Sequence, residues 1–243
     1  MKFDWIFFDY GGTLTVRLDP DSESVKPDNA YGQVLADWFP VAGRDIDADA
    51  DELQQLTELA HRNTEGRPNA VDVRYNEYYY IHWMRWIYEQ LNLEPPFTDH
   101  ELAAAWHFMC WQIGNRFGSV ACESVKSALT ELSERGYRLG VLSNNSGYVA
   151  DQLALGGIYH MFEIIVDSAR EGRVKPDPEL FRSVASRAGA TCDRIFYVGD
   201  SYECDVIGAT LVGMSVAWIG GDNRRLPKSA VVIDTFAELL DHL

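Results

Sequence analysis

Positive charge is scarce in this sequence. Its 243 residues hold 21 Lys and Arg against 37 Asp and Glu, a formal net charge of −16. Gripping a nucleic-acid backbone or an anionic membrane surface takes basic patches. The balance therefore argues against nucleic-acid and membrane partners. It leaves room for a small phosphate ligand held locally by one lysine, backbone amides and a metal ion. Cysteine is scarce too, and Cys110, Cys122, Cys192 and Cys204 form no Cys-x-x-Cys pair. That pattern fits buried thiols in a reducing compartment, not a disulfide frame or a zinc site. No apolar run is long enough to span a bilayer. Asp4 and Asp9 interrupt the apolar start, so it does not read as a signal peptide. No internal repeat or low-complexity tract is present. The expectation is a cytoplasmic protein, a monomer or a homodimer. Its hydrophobic share of 47% can fill a sizeable core.

The stretch from Lys2 to Thr15 organises the rest. An apolar run ends in the carboxylate of Asp9, and Gly11, Gly12 and Thr13 follow closely. Apolar residues bounded by turn residues predict a buried strand. Open α/β sheets bind ligands at the carboxyl ends of such strands. Adjacent glycines let the backbone pass close to another group. Taken alone, the stretch fits equally well a strand and glycine turn with Asp9 capping a loop.

Residues 16–30 are polar, carry two prolines and read as a linker or loop. Residues 31–117 then read as helices: Tyr31 to Phe39, Ala50 to Ala60, the aromatic stretch Asn76 to Leu91, and one opened by Thr98 with Glu101 in capping-box position. From residue 120 helices and strands alternate. Strands are expected at Tyr137–Leu142, Phe162–Val166, Arg194–Val198, Met214–Ile219 and Val231–Ile233. Helices are expected from Glu123 to Arg135, near Tyr148–Leu155, from Asp177 as N-cap to near Gly189, after Gly199-Asp200-Ser201 to near Gly213, and at Phe236–Leu240. This alternation predicts an α/β fold, a Rossmann-like doubly wound parallel sheet covered on both faces. The core is discontinuous, residues 1–15 and 120–243, and residues 16–119 form an inserted helical domain. An insert at that point is expected to act as a lid over the strand ends.

Polar groups now stand at four strand ends, and the chain resembles the haloacid dehalogenase-like hydrolase superfamily. The family's four motifs occur in order as Asp9-Tyr10-Gly11-Gly12-Thr13-Leu14, Leu142-Ser143-Asn144, Val174-Lys175-Pro176-Asp177 and Gly199-Asp200-Ser201-Tyr202-Glu203-Cys204-Asp205. The helical insert looks like the family's cap. The resemblance implies that Asp9 is a nucleophile forming an aspartyl-phosphate. It implies a Mg²⁺ ion held by Asp9, the backbone carbonyl of Gly11 and Asp200. Lys175 would pair with Asp9 and with the phosphate of a small substrate. Ser143 and the Asn144 amide would donate to phosphate oxygens. Thr13 and Asp205 would support these groups from behind, Asp205 by orienting Lys175 or metal-bound water. Read singly, Lys175 also fits a surface loop, Asp200 a helix N-cap, Ser143 a turn hydroxyl and Asp205 a solvated helix position.

One position departs from the family. Its phosphatases carry a second aspartate two residues after the nucleophile, as general acid and base, and here that residue is Gly11. Four readings follow: a Mg²⁺-dependent phosphatase or phosphotransferase with a compensating group or a good leaving group, a phosphonatase, a dehalogenase, or a binding or regulatory protein without turnover. Phosphonatases need a cap lysine, and Lys26 is the sole lysine of the insert. Dehalogenases place a tyrosine one position later than Tyr10 and need no metal. The aromatic stripe at 75–88 is expected to be core. His61, His82, His100 and His107 lack metal-ligand spacing, and Arg170, Arg173, Arg224 and Arg225 are expected to be solvated.

Overall fold

The computed structural model describes residues 2–15, 29–65, 77–94, 98, 102, 112, 123–145, 147–222 and 225–243, apart from the side chains of 61, 63–65 and 77–80. The chain divides into two compact units, Met1–Ser22 with Ser119–Leu243, and Glu23–Gly118.

The first unit is built on six parallel strands: β1 (Trp5–Phe8), β2 (Arg138–Ser143), β3 (Ile164–Asp167), β4 (Ile195–Gly199), β5 (Ser215–Ile219) and β6 (Ala230–Ile233). Their order is β3-β2-β1-β4-β5-β6. This is the α/β, Rossmann-like type expected. The apolar character of β1 follows from its central place. Ile6 and Phe8 face one hydrophobic core with Leu129, Val141 and Phe236, and Trp5 and Phe7 face the other with Leu180, Phe181 and Tyr197. Burying each such side chain contributes about 1.5–3 kcal/mol, so β1 anchors both layers. It pairs with β2 and β4 in level register, Phe8 lying opposite Val141 and Val198. The residues that follow these three partners therefore emerge at one height.

Two boundaries differ from expectation in ways that matter. β3 runs to Asp167, which pairs with Ser143 and accepts a hydrogen bond from the Ala169 N–H. After β4, a wide helical turn spans Tyr202–Ile207 before the short helix Gly208–Leu211. The cap of that turn is Ser201, whose hydroxyl accepts from the Cys204 N–H. The helix Pro178–Ala188 begins as its sequence dictates, with the Asp177 carboxylate accepting from the Glu179 N–H.

In the second unit the helices Ala30–Val41, Ala50–Glu65 and Glu77–Gln90 enclose their own core of Val34, Phe39, Leu53, Trp83, Ile87 and Tyr88. Two members of the aromatic stripe, Trp83 and Tyr88, are buried there. Trp83 Nε1 donates to the Thr57 carbonyl at 3.3 Å, and Trp38 Nε1 donates to the Tyr88 hydroxyl at 3.2 Å. Lys26, Cys110, Cys122, His100, His107, Arg224, the capping residue Glu101 and most of the helix expected after it lie outside the described residues. Among the described residues, Cys192 and Cys204 are free thiols. No helix among the described residues is long and apolar enough to cross a membrane.

Candidate active site

Asp9 directly follows β1, its N–H bonded to the Val198 carbonyl of β4 at 2.8 Å. Ser143 closes β2 and is buried, and Asp200 follows β4. The turn after Asp9 spans Tyr10–Leu14 and is broken by its two glycines. Gly11 adopts φ −71°, ψ 122°, and Gly12 adopts φ 78°, ψ −9°. A Cβ on Gly12 would lie 2.2 Å from Asp200 Oδ2, so the turn passes directly against that carboxylate. Both the positive φ and the contact require glycine there. Gly11 is the opposite case. It is exposed, its backbone angles suit any residue, and a Cβ on it would meet nothing within 4 Å.

One carboxylate oxygen from each of Asp9, Asp200 and Asp205 lies within 4.8 Å of the others. The three do not serve alike. Asp205 is fully buried; its Oδ1 takes a hydrogen bond from Lys175 Nζ at 2.6 Å, and its Oδ2 takes one from the Ser201 N–H at 2.9 Å. Lys175 is 1% exposed, far from the surface loop its flanking sequence also allowed. Its Nζ also donates to the Tyr197 hydroxyl at 3.1 Å and stands 2.8 Å from Asp9 Oδ1 as an ion pair. That last approach is an ion pair and does not count as a hydrogen bond. Asp9 Oδ1 is thus buried without a hydrogen-bond donor among the described residues, its charge balanced and its lone pairs open. Open carboxylate oxygens from Asp9 beside Asp200 form a hard, oxygen-only set that suits Mg²⁺.

The electrostatics follow from burial and pairing. Burial alone would weaken the Lys175 ammonium, but the Asp205 and Asp9 carboxylates outweigh it and hold the pKa well above the usual lysine value. Burial raises Asp205 to about 6, with Lys175 pulling against that rise and Asp9 adding to it. Lys175 is therefore held as a cation inside the cluster. Burial likewise raises the Tyr197 phenol, so it remains an O–H.

Two residues, Tyr197 and Asp167, and one side-chain role, that of Asn144, carried no signal at the level of sequence. Tyr197 reads as one more apolar residue of β4. Its hydroxyl, lying 3.2 Å from Asp205 Oδ1, accepts from Lys175 and donates to the Leu142 carbonyl at 2.8 Å, one residue before Ser143. Asn144 was expected to use its backbone amide. Its side chain is a clamp: Oδ1 accepts from the Lys175 N–H at 2.7 Å and Nδ2 donates to the Lys175 carbonyl at 3.1 Å. Asp167, the last residue of β3, accepts from the N–H groups of Gly147, Val149 and Ala169. It fixes the loop that leaves Ser143-Asn144. Burial raises its pKa, outweighing those three bonds. Arg170, expected to be solvated, donates twice to the Gly147 carbonyl and adds to the same loop. Thr13 is 1% exposed, and its hydroxyl oxygen has no partner among the described residues.

The model of the haloacid dehalogenase-like hydrolase family matches residues 3–213. Over 126 residues the chain is 35% identical to a glyceraldehyde 3-phosphate phosphatase of Methanothermobacter thermautotrophicus, covering 48% of this chain and 56% of that one. Over 92 residues it is 34% identical to a phosphoserine phosphatase of Thermus thermophilus, covering 37% of each. The chain thus spans about half, or less, of the length of these curated relatives. A solved phosphatase from Thermococcus onnurineus has the same fold, with a TM-score of 0.65 at 20% identity over 99% of this chain and 97% of that one.

Proposed function

The chain belongs to the haloacid dehalogenase-like hydrolase family, and from that premise we propose that it is a Mg²⁺-dependent phosphatase or phosphotransferase for a small phosphorylated molecule, with Asp9 as nucleophile. The observation that carries this reading is the meeting of Asp9 and Asp200 beside the buried ammonium of Lys175. An Asp9 carboxylate oxygen forms a bond to phosphorus while the bond from phosphorus to the leaving oxygen breaks. Two anions must approach, so positive charge has to be fixed in advance. Lys175 supplies one such charge, already oriented by Asp205, Tyr197 and the Asn144 clamp. Ser143 and the Asn144 backbone N–H donate to the phosphate oxygens. Asp9, the Gly11 carbonyl and Asp200 would hold Mg²⁺, which when bound neutralises further negative charge at the phosphate. The three-carboxylate group and the open oxygen of Asp9 support that assignment. Relatives named as phosphatases of small phosphorylated metabolites support the substrate class. The helical unit contributes none of these residues and is assigned substrate selection.

A panel of phosphate esters, with and without Mg²⁺, tests this. Mg²⁺-dependent phosphate release is expected, strongest for aryl phosphates, and lost in Asp9→Asn. Absence of release from every ester would contradict it.

A second reading, a binding or regulatory protein of the same fold, is favoured by one observation, the bare backbone at Gly11. Phosphonatase chemistry would rest on Lys26, outside the described residues. Dehalogenation is disfavoured because Tyr10 is buried in the hydrophobic core.

A further inference from the structure

We propose that phosphoryl transfer onto Asp9 is the fast half of the reaction and transfer from Asp9 to water the slow half, so that the protein accumulates as an aspartyl-phosphate loaded from donors with acidic leaving groups, acyl and aryl phosphates. This rests on the reading of Asp9 as nucleophile.

The two halves make different proton demands. In the first, the Asp9–phosphorus bond forms as the donor's phosphorus–oxygen bond breaks, and the leaving oxygen departs with the electron pair. A carboxylate or phenolate leaves as a stable anion. A sugar or alkyl alkoxide needs a proton delivered to it. In the second, a water oxygen bonds to phosphorus, the pair of the breaking bond returns to the Asp9 carboxylate, and water must give up a proton. No acid is needed for the departing Asp9 carboxylate, but a base is needed for the water.

Among the described residues of this unit, the side chains around Asp9 are committed elsewhere. Lys175 Nζ is directed at Asp205, Tyr197 and Asp9. Asp205 is fully buried, with one oxygen on Lys175 and the other on the Ser201 N–H. Asp200 lies against Gly12 and belongs to the proposed metal site. Two residues beyond Asp9 the chain is exposed at Gly11, and the space into which a side chain would project is open. A positioned acid or base contributes about 10²–10⁴-fold. Donors with acidic leaving groups escape that loss in the first half. No donor escapes it in the second. The first half therefore outruns the second for acyl and aryl phosphates, and for alkyl phosphates both halves are slow.

The same geometry makes the cure accessible. Gly11 has backbone angles open to any residue and nothing within 4 Å of a Cβ, so Gly11→Asp places a carboxylate there without strain.

The experiment is rapid quench of the full chain with Mg²⁺ and p-nitrophenyl phosphate or acetyl phosphate, read as leaving-group release and as intact protein mass. The expected result is a burst of about one leaving group per chain with a matching phosphoryl adduct. Steady release then runs roughly 10²-fold slower. Gly11→Asp abolishes the burst and raises the steady rate by a similar factor. Steady release without burst or adduct, lost in Asp9→Asn, would overturn the proposal and leave the phosphatase reading standing. No release and no adduct from any donor would overturn both.

Discussion

Lys175, Tyr197 and Asp205 stand beside Asp9, each at most 1% exposed and each tied to the others by short polar contacts. Two residues further along the chain stands Gly11, exposed and with empty space around it. The crowded neighbourhood fixes a positive charge against Asp9, the proposed acceptor of a phosphoryl group. The bare one supplies a backbone carbonyl and no titratable group. The contrast separates two tasks that one site usually combines: holding a charged transition state, which needs pre-set dipoles and charges, and moving protons, which needs a side chain of suitable pKa. The described residues around Asp9 are furnished for the first.

The crowded side should fail badly when a charge is removed. Lys175→Met leaves Asp205 and Asp9 facing each other in a buried space. Breaking such a buried pair costs about 3–5 kcal/mol, so thermal denaturation should show a large loss of stability, and turnover should vanish. The neighbouring glycines sharpen the comparison. Gly12→Ala puts a methyl 2.2 Å from Asp200 Oδ2 in a backbone conformation that L residues resist. It should cost about 1–3 kcal/mol in stability and weaken Mg²⁺ binding by calorimetry. Gly11→Ala should change neither. If the two glycines behave alike, the asymmetry described here is wrong.

Smaller effects test how the crowded side is held. Tyr197→Phe removes one hydroxyl, leaving a Lys175 N–H and the Leu142 carbonyl without it. A stability loss of about 1–3 kcal/mol is expected, together with a fall in kcat and little change in KM. A lower melting temperature with kcat and KM both unchanged would mean the hydroxyl only supports the fold. The smallest effect concerns pH. Burial holds the folded pKa of Asp167 above the ordinary carboxylate value of 3.8. The folded state therefore binds this proton more tightly than the unfolded state. Stability from this group is present at low pH, falls as pH rises from near 3.8 through the folded pKa, and is flat above it. Melting curves of wild type and Asp167→Asn should converge or diverge only across that window. A constant offset at all pH values would contradict the assignment.

The sheet was legible because most strands are largely apolar runs that end at a polar residue or a glycine, and because β1 is apolar at every position, as a strand covered on both faces must be. Asp9, Ser143, Lys175 and Asp200 were legible as strand-end or loop residues of a shared motif pattern. What joins them was not. Tyr197 is indistinguishable from a core aromatic until β2 and β4 are set on either side of β1. The Asn144 clamp spans 31 positions to Lys175, and no local pattern encodes such a contact. The cap of the turn after β4 is Ser201, one residue beyond Asp200, and cap identity depends on backbone angles that composition does not reveal. The openness around Gly11 is likewise a property of its neighbours in space.

Every proposed step requires that a carboxylate oxygen of Asp9 receive phosphorus. The most direct measurement is peptide mapping after incubation with acetyl phosphate and Mg²⁺ followed by borohydride, which reduces an aspartyl-phosphate to homoserine. Homoserine at position 9 is the expected result. Phosphate release with position 9 still aspartate, or with the modified residue elsewhere, would contradict the account.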